Sequence, residues 1–141
     1  MSEENVELVR RLIDAFGTGD AARAWSVALE IIDPQMEMDM TRVPMPDLAR
    51  VYRGPEEIAS FWVKWLEAWG SLGEFGETEV VGVGDEVVFW TTRQTMRGKE
   101  SGVAVDMPEY AWTMTFRGDK IVRATMFGSK AEAIEAAGLL E

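Results

Sequence analysis

The sequence predicts an α+β domain in which a mostly antiparallel sheet curls around a set of helices. Three observations carry that expectation. Ile58, Phe61, Trp62, Trp65, Leu66 and Trp69 recur at helical spacing, so one helix carries a wide aromatic stripe. Each such ring removes roughly 150–250 Å² from water when buried, and the stripe therefore needs a broad, curved cover. The hydrophobic period changes from 3.6 to 2 at Met36, Met38 and Met40. Segments with strand character then follow one another, separated by tight-turn residues, as in a sheet whose helices gather on one face.

The elements follow in the order α-α-β-α-β-β-β-β-α. Ser2 can cap a first helix whose Glu3, Glu4 and Glu7 suit the positive end of its dipole. Val6, Val9, Leu12, Ile13 and Phe16 form its inner stripe, and Gly17 ends it. Asp20 caps a second helix running through Ala24, Trp25, Ala28, Leu29 and Ile32. Asp33-Pro34 stops that helix, because proline disfavours helical geometry in the residue before it. The methionine strand alternates with Glu37 and Asp39, and residues 43–50 with their two prolines form a loop. Val51-Tyr52 adds a very short strand. The tryptophan helix, about 55–69, opens at Gly54-Pro55 and closes at Gly70. Strands follow at 77–83 and 86–97, turned by Gly84-Asp85. Residues 97–102 lead into a third, about 103–116, and residues 117–120 into a fourth, about 120–127. Ser129 caps a terminal helix, Lys130 to Ala137, ending at Gly138. No repeat or linker interrupts the 141 residues, which make a single domain.

Composition removes several classes of function. Hydrophobic residues at 47% and charged residues at 28% make a globular chain. A net charge of −11 argues against nucleic-acid backbones and anionic membrane surfaces, which need clustered Lys and Arg. There is no cysteine, so disulfides and thiolate chemistry are excluded. There is no histidine, which removes the commonest general base and metal ligand. No metal or cofactor is expected. The N-terminus has no basic, apolar leader and no stretch reaches the ~20 apolar residues of a membrane span, so cytoplasmic residence is expected.

Several local phrases occur in a telling order: Glu4-Asn5-Val6 leading into Val9-Arg10-Arg11, then Gly19-Asp20, Asp33-Pro34, Tyr52-Arg53-Gly54, Gly84-Asp85-Glu86-Val87-Val88, Met107-Pro108 and Asp119-Lys120-Ile121-Val122. Together with the element order they resemble the SnoaL-like family of the nuclear-transport-factor-2-like superfamily. The resemblance spans nearly the whole chain. It implies a cone, in which a strongly curved sheet wraps the N-terminal helices and encloses an apolar cavity open at one end. It also implies a homodimer formed through the outer sheet faces. Activity does not follow, because the superfamily hosts isomerases, cyclases, hydrolases and members without catalysis.

Ketosteroid-isomerase-like members carry a carboxylate base on the first strand, a tyrosine on the first helix and an acid on the third meander strand. Those places fall here at Met38, with Asp39 beside it, at Leu12, and at Trp112 or Ala111. Neighbouring strand residues face opposite ways, so Asp39 is expected to point outward unless a bulge re-aims it. SnoaL-like cyclases keep a histidine or aspartate in the third strand, and this chain has neither there. A limonene-epoxide-hydrolase-like arrangement of two carboxylates and an arginine could draw on Asp39, Arg93 and Asp106, although Arg93 falls one position off the face assigned to Val88, Trp90, Thr92 and Gln94. Asp14 is expected beside, rather than within, the first helix stripe.

The cavity lining is expected from Leu12 on the first helix, Phe61 and Trp62 on the tryptophan helix, and Met36 and Met38 on the first strand. Trp112, Met114 and Met126 complete it from the later strands. Methionine suits an adaptable lining, and it equally suits plain core filling. Thr92, Gln94, Tyr110 and the Trp90 indole N–H are the polar groups expected to orient a ligand. Trp65 and Trp69 read as packing residues. Arg42, Arg50 and Arg53 read as solvated charges or as a rim to the entrance. The leading expectation is a protein that binds a small apolar molecule without conventional acid–base machinery. The alternatives are an isomerase, cyclase or hydrolase using Asp39, Tyr110 or Arg93, and a structural dimeric module with a filled core.

Overall fold

The computed structural model describes residues 2–18, 20–42, 48–69, 74–75, 78–84, 86–91, 94–97, 101–107 and 110–139. For residues 2, 68, 69, 74, 75, 94–97, 104–107 and 139 it describes the backbone alone. The chain runs α1 (Ser2–Gly17), α2 (Ala21–Ile31), β1 (Ile32–Asp39), β2 (Val51–Arg53), α3 (Gly54–Trp69), β3 (Glu74–Phe75), β4 (Thr78–Val83), β5 (Glu86–Thr91), β6 (Gln94–Arg97), β7 (Ala104–Met107), β8 (Tyr110–Arg117), β9 (Lys120–Phe127) and α4 (Lys130–Leu139).

The caps follow local chemistry. The Asp20 carboxylate accepts the Arg23 N–H at 3.1 Å, which starts α2, and the Ser129 hydroxyl accepts the Glu132 N–H at 3.2 Å, which starts α4. At α3 the Glu57 carboxylate reaches back to the Arg53 N–H at 3.0 Å. Gly54 adopts φ +78°, and a Cβ there would meet the Pro34 carbonyl at 3.4 Å, so glycine suits the turn from β2 into α3 on two counts.

Six strands form one curved sheet in the order β2-β1-β9-β8-β5-β4, and β3, β6 and β7 form a second sheet in the order β3-β6-β7. In the large sheet only the β1–β9 pair is parallel. Two departures from the sequence reading stand out. β1 begins at Ile32, directly after α2, so Asp33-Pro34 lies inside a strand instead of before one. The strand tolerates this through an irregular register: between Ile32↔Ile121 and Glu37↔Arg123, β1 advances five residues while β9 advances two. Proline has no N–H for a ladder and belongs at such a break. The expected single strands at 86–97 and 103–116 are each divided, β5 from β6 and β7 from β8, and the β6–β7 pair joins the small sheet.

The helices divide between the two faces of the large sheet. α1 packs on β4 and β5, and α3 packs on β1 and β2, together building the main core around Val9, Ile31, Tyr52, Phe61, Val87 and Ile121. α4 packs on β8, β5 and β9 over a separate cluster of Val88, Trp90, Ala111, Phe127, Ala133 and Ala137. Among the described residues no helix is long and apolar enough to cross a membrane.

Candidate functional site

Strand register decides which side chains face the helices. Paired residues share a face, so the inner surface reads as rows across the sheet. One row runs Met38–Ala124–Met114–Val87, the next Met126–Trp112–Phe89–Val80, and the next Tyr110–Thr91–Thr78. Facing these rows are Leu12, Ile13 and Phe16 of α1, Trp25 and Ala28 of α2, and Ile58, Phe61, Trp62 and Trp65 of α3. Between the two layers lies a cavity of about 120 Å³. An engineered apolar cavity of roughly 150 Å³ accepts benzene, so this space is on the scale of one six-membered ring.

Its walls are aromatic and soft. Phe16 of α1 meets Trp62 of α3 edge-on with ring centroids 5.2 Å apart, and Trp62 in turn meets Phe61 at 4.9 Å. Phe89 and Trp112 stack at 6.2 Å on the sheet side. Met36, Met38, Met40, Met114 and Met126 fill the remaining wall. No described residue of the lining is charged. Trp65, read from sequence as packing, also lines the cavity, whereas the side chain of Trp69 lies outside the described residues.

The hydroxyl groups of the lining sit in the third row, and Trp65 on α3 adds a buried indole N–H on the opposite side. Tyr110 is buried, and its hydroxyl has no hydrogen-bond partner among the described residues. Burial pushes its phenol pKa up, so the group stays protonated at physiological pH and can donate. Thr91 and Thr78 are its successive neighbours across β5 and β4. Sequence reasoning missed both threonines. It assigned the even-numbered residues of β5 to the cavity, whereas Val87, Phe89 and Thr91 face inward.

Trp90 is the clearest correction. It belongs to the outer cluster beneath α4, with the Lys130 ammonium 4.1 Å from its ring centroid, and it does not line the cavity. All six residues of β5 are buried, so the strand shows no polar alternation from which its inner face could be recognised. Thr92 and Arg93 lie outside the described residues. Gln94 and Asp106 are described by backbone alone, in β6 and β7 of the small sheet.

Asp39 faces away from the cavity, as strand alternation requires. Its carboxylate accepts from the Thr41 hydroxyl at 2.6 Å and the Thr41 N–H at 3.0 Å, and it pairs with Arg123 at 3.3 Å and Arg42 at 3.7 Å. Burial opposes its ionisation, but the Thr41 hydrogen bonds and the two guanidinium groups outweigh it and hold the carboxyl below its ordinary range. Arg50 pairs with Glu57 at 3.5 Å and Arg53 with Glu37 at 3.1 Å, so both arginines are engaged with carboxylates. Asp14 is exposed on α1. Among the described residues no group of three or more metal-ligating side chains comes together.

This architecture has clear relatives. A model of the SnoaL-like domain matches residues 9–124. The chain belongs to the SnoaL-like domain family. Among solved structures it is similar to an NTF2-like protein of unknown function from Burkholderia pseudomallei, with 16% identity, TM-score 0.74, and 94% of this chain and 95% of that one covered. It is also similar to an NTF2-like protein from Burkholderia xenovorans, with 22% identity, TM-score 0.70 and 98% of both chains covered. A third is TerC co-crystallised with polyporic acid, with 19% identity, TM-score 0.66, and 95% of this chain and 98% of that one covered. At these identities the likeness is one of fold. No curated protein matches the sequence significantly.

In this SnoaL-like domain, the positions at which the resemblance to ketosteroid-isomerase-like members would place acid–base groups are Leu12, Met38 and either Trp112 or Ala111; the first three form cavity wall, and Ala111 lies in the outer cluster. The carboxylate beside Met38 is turned to the outer face and held there by Thr41, Arg42 and Arg123.

Proposed function

We propose that this SnoaL-like domain binds a small, largely apolar molecule inside the cone and has no conventional acid–base machinery there. The observation that carries this reading is the cavity itself: about 120 Å³ between three helices and a sheet, with an uncharged, aromatic and thioether wall among the described residues. A space enclosed by apolar groups favours an apolar occupant, because water entering it would find few polar partners. The crystallisation of TerC, a protein of the same fold, with polyporic acid supports a ligand-binding role for the architecture. The outward, doubly paired Asp39 weighs against the alternative in which it acts as a base. Pairing of two copies through the sheet and residence in the cytoplasm belong to the same proposal, and sedimentation equilibrium and fractionation test them.

Two measurements test the binding reading. Native mass spectrometry of protein prepared from its own host is expected to show a noncovalent small-molecule adduct, and titration with benzene is expected to saturate. Uniformly ligand-free protein together with no saturable response to benzene would overturn it.

A further inference from the structure

Three strands far apart in sequence bring three hydroxyl-bearing side chains to one end of the cavity. Thr78 pairs with Thr91, Thr91 pairs with Tyr110, and all three line the same space. The neighbouring row, Met126–Trp112–Phe89–Val80, is wholly hydrophobic. The lining is therefore polarised: hydroxyls along one edge, rings and thioethers elsewhere. Tyr110 is 8% exposed, and its hydroxyl finds no partner among the described residues. The hydroxyl itself is not sealed among protein atoms, so the oxygen of a ligand in the cavity can pair with it.

Resting on the cavity reading above, we propose that the ligand is an uncharged ring compound of about benzene size carrying one oxygen function, a hydroxyl or a carbonyl, turned toward Tyr110 and its threonine row. The size follows from the space, and the oxygen function follows from the one edge at which hydroxyl side chains gather. Neutrality follows from the described lining, which offers no guanidinium or ammonium to an anion and no carboxylate to a cation, while an unpaired buried charge is strongly disfavoured. The phenol donates to a ligand oxygen and can accept from a ligand hydroxyl.

Calorimetric titration of the wild type and Tyr110→Phe with benzene, phenol and benzoate tests this. Tyr110→Phe removes one oxygen and keeps the ring, and benzene serves as the control for an intact cavity. The wild type is expected to bind phenol at least as tightly as benzene and to bind benzoate at least tenfold more weakly than phenol. In Tyr110→Phe, phenol is expected to weaken about five- to a hundredfold, the cost of burying a hydroxyl without its partner, while benzene affinity is unchanged. Phenol binding fivefold or more weakly than benzene in the wild type, with the same ratio in Tyr110→Phe, would overturn the oxygen-reading role and leave the cavity reading standing. Benzoate binding as tightly as phenol would overturn the neutrality. No saturable binding of benzene or phenol by the wild type would overturn this proposal, and together with uniformly ligand-free protein from the host it would overturn the cavity reading as well.

Discussion

The two faces of the six-stranded sheet are both buried along β5, yet they are packed in different ways. On the inner face Phe89, Trp112 and the methionines meet the large rings of α1 and α3, and a gap of about 120 Å³ is left between them. On the outer face Trp90 and Phe127 meet Ala133 and Ala137 of α4, both fully buried. Small residues let a helix seat closely on a bulky sheet, whereas rigid rings facing rigid rings cannot always interdigitate. The outer face also carries charges: Asp39 is held by Arg42 and Arg123, and the Arg42 guanidinium lies 4.8 Å from the ring centroid of Phe127 in α4's cluster. One face of the sheet is thus built to hold the fold shut, and the other retains room.

That contrast can be broken at several points. The largest effect is expected at Phe61, which is fully buried and touches Tyr52, Trp62 and Trp65: Phe61→Ala should cost about 3–5 kcal/mol in urea unfolding and alter benzene affinity. Ala133→Leu on the outer face should cost about 1–3 kcal/mol by overpacking, with benzene affinity unchanged within about twofold. If the outer substitution changes binding as much as the inner one does, the two faces are not independent.

Asp39→Asn probes the charged part of the outer face and should cost about 1–2 kcal/mol at neutral pH. Its folded carboxyl is held below the ordinary value, so its contribution is complete above pH ~3.9 and fades as pH falls through the lowered folded value. The melting temperatures of wild type and variant should therefore differ at pH 7 and converge in acid. A constant difference across that range would show that the ion pairs contribute nothing titratable. The smallest effect is expected for Lys130→Ala, which removes the ammonium over Trp90: about 0.5–1 kcal/mol, with no change in benzene binding.

Much of the inner wall was legible in the sequence. Helical spacing put Phe61 and Trp62 on one aromatic stripe and the family resemblance turned them to the cavity, while alternation grouped Met36 with Met38 and Tyr110 with Trp112 and Met114; all of these, and Met126, line the cavity. Trp90 faces the other way, for a definite physical reason. Alternation separates a strand's residues into two sets, but it names the inner set only when the other set is polar. The β8 run Tyr110, Trp112, Met114, Phe116 has Thr113 and Thr115 between its later members and could be oriented. The β5 run Glu86–Thr91 has apolar side chains on both faces because helices cover both, and its orientation was not encoded locally.

The sequence by itself determined the local elements: where α2 and α4 begin, since Asp20 and Ser129 supply the caps, and which chemistries are unavailable, since histidine and cysteine are missing. It also carried the family through short phrases distributed along the chain, which the match over residues 9–124 bears out. Only the tertiary structure decided which face of β5 looks inward, that β1 lies parallel to β9, and that Thr78, Thr91 and Tyr110 share one edge of the cavity. Caps and periodicity act over a few residues, and the chain spells them out. Register between strands dozens of residues apart is set by how whole layers pack, and the hydroxyl row exists only once that packing is complete.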